Sequence, residues 1–155
     1  MNVFLDSMLL VFLTFPIQSE QKLMAEKVMM APKLERFISV LSIQEYIGSV
    51  HRIAEIAADS EMYLHKADEL LKGLLIHEKT PVKFVSLDLL SILLRSRQLR
   101  EAGLDLNDSL IVSTAEKMNM AFITTDDEIL KASDKILVPV YTPQRLLKML
   151  SNSGK

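Results

Sequence analysis

The stretch 108–126, DSLIVSTAEKMNMAFITTD, decides how the chain is read. Asp108 to Met118 reads as a helix, and Ala121 to Thr125 is a short apolar run of strand character that stops at Asp126. A helix that delivers the chain into a short buried strand is the unit of a parallel α/β sheet. In such sheets ligands bind beyond the carboxyl ends of the strands. Three more acids stand where strand-like and helix-like runs meet. Asp6 closes Asn2-Val3-Phe4-Leu5, Glu45 follows Ser42 by three residues after the run Phe37 to Leu41, and Asp108 opens its own helix. Topology alone assigns Asp6 and Asp126 to a common site.

Working outward, strand and helix signals alternate along the whole chain. A short apolar helix after the first strand is broken at Pro16, and a helix from Ile17 to Met30 ends near Pro32. Phe37 to Leu41 predicts a second strand, or a turn into the next helix. Helices are predicted from Ser42 toward Ala57 and from Glu61 to Ile76. Pro81 precedes a strand at Val82 to Val85, and a helix from Leu87 to Arg100 stops near Gly103. Ile136 to Tyr141 predicts the last strand, and Pro143 suits the first turn of a closing helix, Gln144 to Leu150. Helices between short β runs predict a single sheet-centred α/β domain over residues 1–155, with a central, mainly parallel sheet.

Composition narrows the function. The 155 residues are 49% apolar and 25% charged, with a net charge of −2. That balance offers no global attraction for a polyanion, which would need a local basic patch or metal ions to invert the field. The absence of cysteine excludes disulfides, thiolate zinc sites and cysteine nucleophiles. Met8 to Phe15 is apolar, yet it is far shorter than a span and follows Asp6 with no Lys or Arg. We read it as core, expect no membrane segment, and expect a cytoplasmic protein.

Each acid has a bland reading. Ser42-Ile43-Gln44-Glu45 fits a capping box, Asp108 fits a first-turn acid favoured by the helix dipole, and Asp126 fits a cap on the next helix. Asp6 is different, because it interrupts an apolar run where an unpaired carboxylate is costly to bury. Two carboxylates about 4 Å apart repel by about 4 kcal/mol at an effective dielectric of about 20. If the four acids converge within one coordination shell, a hard divalent cation is the simplest account.

These residues carry a family resemblance. Phe4-Leu5-Asp6-Ser7 resembles the opening motif of the PIN-domain ribonucleases, and Ser42-Ile43-Gln44-Glu45-Tyr46-Ile47 is similar to their Ser-x-x-Glu element. Leu106 to Ala115 matches the third motif closely, and Phe122-Ile123-Thr124-Thr125-Asp126 resembles the closing strand. The third and fourth motifs are the specific ones, and the likeness spans nearly the whole chain. It implies a PIN-like three-layer α/β/α sandwich and a ribonuclease that uses Mg²⁺ or Mn²⁺. By the same resemblance Asp6, Glu45, Asp108 and Asp126 are the catalytic metal ligands, with Ser7 and Thr124 orienting the carboxylates. The substrate would be single-stranded RNA. Many members resemble toxins of the VapC type, so an antitoxin protein is a candidate partner.

Two departures stand out. Met8 occupies a position where the family often has Asn or another polar residue, which keeps a non-cutting RNA- or protein-binding domain as the alternative. Met8 also counts against an aspartyl-phosphate phosphohydrolase, which needs a second Asp there. Asp127 and Glu128 follow Asp126 and compete with it as fourth ligand, although the threonine spacing favours Asp126.

Other residues carry weaker signals. His51, His65 and His77 lack zinc-ligand spacing with one another. Arg95, Arg97 and Arg100 could present a basic face to RNA, against the default of a solvated helix face. Leu87, Leu89, Leu90, Ile92, Leu93 and Leu94 make their helix apolar around most of its circumference. Such a helix must be buried on more than one side, either by neighbouring helices or across a two-fold homodimer.

Overall fold

A computed structural model describes residues 1–15, 19–76 and 82–152. The expected breaks at Pro16 and Pro81, and His77, lie outside the described residues. In chain order the elements are β1 (Asn2–Leu5), α1 (Ser7–Thr14), α2 (Ser19–Met30), β2 (Glu35–Ser39), α3 (Val40–Ile56), α4 (Ser60–Ile76) and β3 (Val82–Val85). They continue with α5 (Leu89–Glu101), α6 (Leu106–Lys117), β4 (Ala121–Ile123), α7 (Asp127–Lys131), β5 (Val140–Tyr141) and α8 (Pro143–Asn152).

The five strands form one sheet in the order β3-β2-β1-β4-β5, and every pairing is parallel. Period-2 alternation separates two cores. Val3, Leu5, Ile38 and Ile123 face one side, where they pack with α1, α3 and α8. Phe4, Phe37 and Phe122 face the other, against α5 and α6. Phe4 and Phe122 are in register on adjacent strands, their rings stacked 6.2 Å apart. The α/β fold with a parallel central sheet flanked by helices is therefore as the sequence predicts. The chain leaves β1 toward β2 and β3, then crosses back to β4 on the other side of β1. That reversal is the topological switch point, and Asp6 and Asp126 follow the two strands beside it.

Several boundaries differ from expectation for local reasons. Strand β2 runs Glu35–Ser39, so Val40 and Leu41 are already helical. The last strand shrinks to Val140–Tyr141, since Ile136 to Pro139 follow a 3-10 turn at Ser133–Lys135 in irregular backbone. Helix α5 ends in a Schellman turn: Gly103 takes φ 105°, its N–H bonds to Arg100, and the Leu104 N–H bonds to Leu99. Leu99 and Leu104 are both buried, which anchors the turn that introduces α6.

Helix α5 is not covered all round within one chain. Ile92 and Leu99 are buried, but Leu90, Leu93 and Leu94 are 89%, 56% and 78% exposed. No helix among the described residues is long and apolar enough to cross a membrane.

Candidate active site

Asp6 leaves β1 at its carboxyl end and begins α1. Its backbone N–H continues the sheet ladder to Ile123 O at 3.0 Å. The side chain makes no helix-capping bond, although it stands at the N-cap position. Instead Oδ1 accepts from Ser7 Oγ at 3.2 Å, and Oδ2 accepts from Thr124 Oγ1 at 2.5 Å. Asp6 is buried, and burial pushes its carboxyl above the ordinary range while the two hydroxyl bonds pull the other way.

Thr124 is fully buried where β4 ends. Its hydroxyl donates to Asp6 and accepts from the Asp126 N–H at 2.9 Å. Asp126 is the N-cap of α7, with Oδ1 accepting from the Glu128 and Ile129 N–H groups at 2.7 and 3.2 Å. The capping reading of Asp126 is therefore correct, and Asp126 also lines the cleft beside Asp6. Asp127 lines a separate cavity and Glu128 is exposed, so neither takes its place.

The capping reading of Glu45 is wrong. The N-cap of α3 is Ser39, whose Oγ accepts from the Ser42 N–H at 2.9 Å and bonds the Ser42 hydroxyl at 2.8 Å. Starting the helix three residues early moves Glu45 into its second turn, where the carboxylate is free to line the cleft. Burial and the charge of Asp6 push Glu45 upward, opposed by hydrogen bonding from Asn107 and Ser7.

Asp108 lies in the first turn of α6, whose N-cap is Asp105. Asp105 Oδ1 accepts from the Asp108 N–H at 2.8 Å. Burial pushes the Asp108 carboxyl up to about 7, reinforced by the charges of Asp105, Asp6, Asp126 and Glu45. One group that feels four carboxylates defines a common electrostatic site.

The four predicted acids, Ser7 and Met8 thus line one cleft of about 440 Å³, together with Asp105 and Arg52. They do not close into one coordination shell. Among the described residues, no group of three or more His, Asp or Glu side chains is already arranged to hold an ion. Bonds to hydroxyls and helix N–H groups tie down Asp6 and Asp126. The donor set itself fits a hard dication: it is all carboxylate oxygen, and burial together with neighbouring carboxylates pushes Asp6, Glu45 and Asp108 above the ordinary range.

Asp105 and Arg52 join the cleft without a signal in the linear sequence. Asp105 reads as a loop acid until its capping role places it at the cleft, and Arg52 reads as one more polar residue on a long helix. On α5 the pairing of the arginines favours the default of a solvated helix face over a basic face for RNA. Arg95 is bound to Glu116 at 2.7 and 2.8 Å, and Arg97 pairs with Glu101 at 3.1 Å. His51 and His65 are exposed and away from the cleft.

The PIN domain pattern matches residues 3–135. The chain belongs to the PIN domain family. Solved structures share its fold: PAE2754 from Pyrobaculum aerophilum is 19% identical with a TM-score of 0.64, covering 97% of this chain and 90% of that one. A chain of a toxin-antitoxin complex from Klebsiella pneumoniae is 20% identical with a TM-score of 0.59, covering 91% and 97%. VapBC2 from Rickettsia felis, bound to a DNA fragment from their promoter, gives 15% identity and a TM-score of 0.59, covering 92% and 98%. A search of curated proteins finds no match. The acids of the cleft are therefore embedded in a PIN scaffold.

Proposed function

We propose that this PIN domain is a metal-dependent ribonuclease that hydrolyses phosphodiester bonds in single-stranded RNA. The observation that carries the reading is the acidic cleft at the switch point, where burial and four other carboxylates raise the Asp108 pKa. Asp6, Glu45, Asp108 and Asp126 would hold Mg²⁺ or Mn²⁺. When bound, such an ion supplies charge neutralisation and an activated water. The chain's own residues do the rest. Ser7 and Thr124 fix the direction of the Asp6 oxygens, and Thr124 links them to the turn that carries Asp126. Protons held on Asp108 must leave before the cleft can take up a cation. In the reaction, water adds to phosphorus and the 3′ oxygen departs with a proton.

The likeness to a chain of a toxin-antitoxin complex supports a toxin role, with an antitoxin protein as partner. The uncovered leucines of α5 support a homodimer, and the absence of cysteine suits a cytoplasmic setting. The second reading is an inactive domain that binds RNA or protein, favoured by Met8, which puts a thioether in the cleft wall. Incubation with labelled single-stranded RNA separates them. Cleavage that needs Mg²⁺ or Mn²⁺, stops with chelator and is lost in Asp108→Asn supports the nuclease. RNA binding without cleavage under any divalent condition supports the alternative.

A further inference from the structure

An acidic cleft on a net-negative chain repels RNA everywhere except where positive charge is supplied. Cations held by the acids would serve the phosphate under attack, but the adjoining phosphates need a different source. Arg52 is the one basic side chain among the described residues that line the cleft. It stands seven residues after Glu45 on α3, two turns and about 10 Å along the axis, on the same face.

Three features hold it ready. Ser49, one turn back, accepts from Arg52 Nη2 at 3.0 Å and directs the guanidinium along the helix. Gly48 lies beneath: a Cβ placed there would sit 3.8 Å from Nη1, so a longer side chain would stand between Arg52 and Glu45. Arg52 also forms no salt bridge among the described residues, although five acids share its cleft. Nε and Nη1 keep their donors, in the planar fork that suits phosphate oxygens.

We propose that Arg52 binds a phosphodiester flanking the scissile bond, so that the RNA backbone runs along α3 from the acids past Gly48 and Ser49. This rests on the ribonuclease reading and deepens it: the enzyme takes a polymer of more than one phosphate, held by its backbone. Arg52 is a positioning residue here, acting on substrate away from the reacting atoms.

The test is equilibrium binding of a short single-stranded oligoribonucleotide to full-length protein carrying Asp108→Asn, across a salt series. Each phosphate neutralised on a single strand contributes about 0.7 to the slope of log K against log salt. Adding Arg52→Gln is expected to weaken binding and lower that slope by about 0.7, while Arg52→Lys restores the slope by restoring the charge. Since Arg52 is exposed, both variants should melt with the parent. An unchanged slope in Arg52→Gln, or a lowered slope that Arg52→Lys does not restore, overturns the assignment and leaves the nuclease reading standing. If the starting protein binds no RNA and the wild-type protein in excess Mg²⁺ or Mn²⁺ neither binds nor cleaves it, the ribonuclease reading falls and this one with it.

Discussion

Thr124 donates a hydrogen bond to Asp6 across 118 residues of sequence, at 2.5 Å between Oγ1 and Oδ2. The same hydroxyl accepts from the Asp126 N–H at 2.9 Å. One buried side chain therefore joins the ends of the two strands at the switch point and sets the direction of two acids. Thr124→Val keeps the shape and removes the hydroxyl. It should lower divalent affinity or turnover by about 10- to 100-fold. It should also cost about 1–3 kcal/mol, because the Asp126 N–H and Asp6 Oδ2 lose a buried partner. Thr124→Ser should recover most of both. Calorimetric Mn²⁺ binding and urea melts measure the two effects; wild-type values in Thr124→Val would refute the link.

Burial and neighbouring carboxylates push the Asp108 pKa from 3.8 to about 7, and Asp6 and Glu45 are pushed the same way. The folded state therefore keeps protons that the unfolded chain has already released between about pH 4 and 7. With more protons bound in the native state, stability is greatest at the acid end of that window. It falls as pH rises through it. In chelator the melting temperature should drop from pH 5 to 8, and Mg²⁺ or Mn²⁺ should reverse the drop at pH 8 by replacing the protons. Divalent affinity should rise over the same range. A melting temperature that climbs toward pH 8 in chelator would contradict the shared acidic site.

Asp108→Asn separates charge from shape at this position. Removing one of the converging negative charges should raise the melting temperature at pH 8 in chelator. It should also abolish the gain from divalent ions and reduce cleavage on the order of 100-fold or more. A variant that is more stable but inactive marks a residue kept for function at a cost to stability. Loss of stability in chelator would instead mean that Asp108 serves the fold.

Much of this was visible in the residues, and the misses have specific causes. An acid at the end of an apolar run, as at Asp6 and Asp126, announces a strand's carboxyl end, and parallel topology then brings such ends together. The residues place the start of α3 one turn late because Ser39 and Ser42 are both good caps three residues apart. Only the end of the β2–β3 ladder at Ser39 decides between them. Ile136 and Val138 read as part of β5 because their apolar alternation matches a strand; both are buried, but they precede it in irregular backbone. Asp105 needed the cap geometry of α6, and Arg52 needed the face of α3, neither of which a linear reading supplies.

The shifted cap gives its own test. Ser39→Ala should cost about 1 kcal/mol by removing the bond to the Ser42 N–H. Glu45→Gln should cost no stability and abolish or sharply reduce cleavage. Under the capping-box alternative Glu45→Gln would keep activity, so chemical melts and a cleavage assay on the two variants decide.

Helix α5 carries Leu90, Leu93 and Leu94 outward, and Leu106 at the start of α6 is 52% exposed and shares a surface groove with Leu93 and Leu94. A contiguous apolar face of this kind marks an interaction surface, and a two-fold dimer is the commonest closed solution. Light scattering at low micromolar concentration should therefore give a dimer mass for the parent. Leu90→Glu with Leu94→Glu should give a monomer that retains its secondary structure, since both side chains are exposed in the single chain and contribute little to its core. The Asp108 region adjoins this face through Leu106, so the monomer is also expected to bind RNA less tightly. A monomer mass for the parent would remove the dimer and leave the acidic cleft untouched.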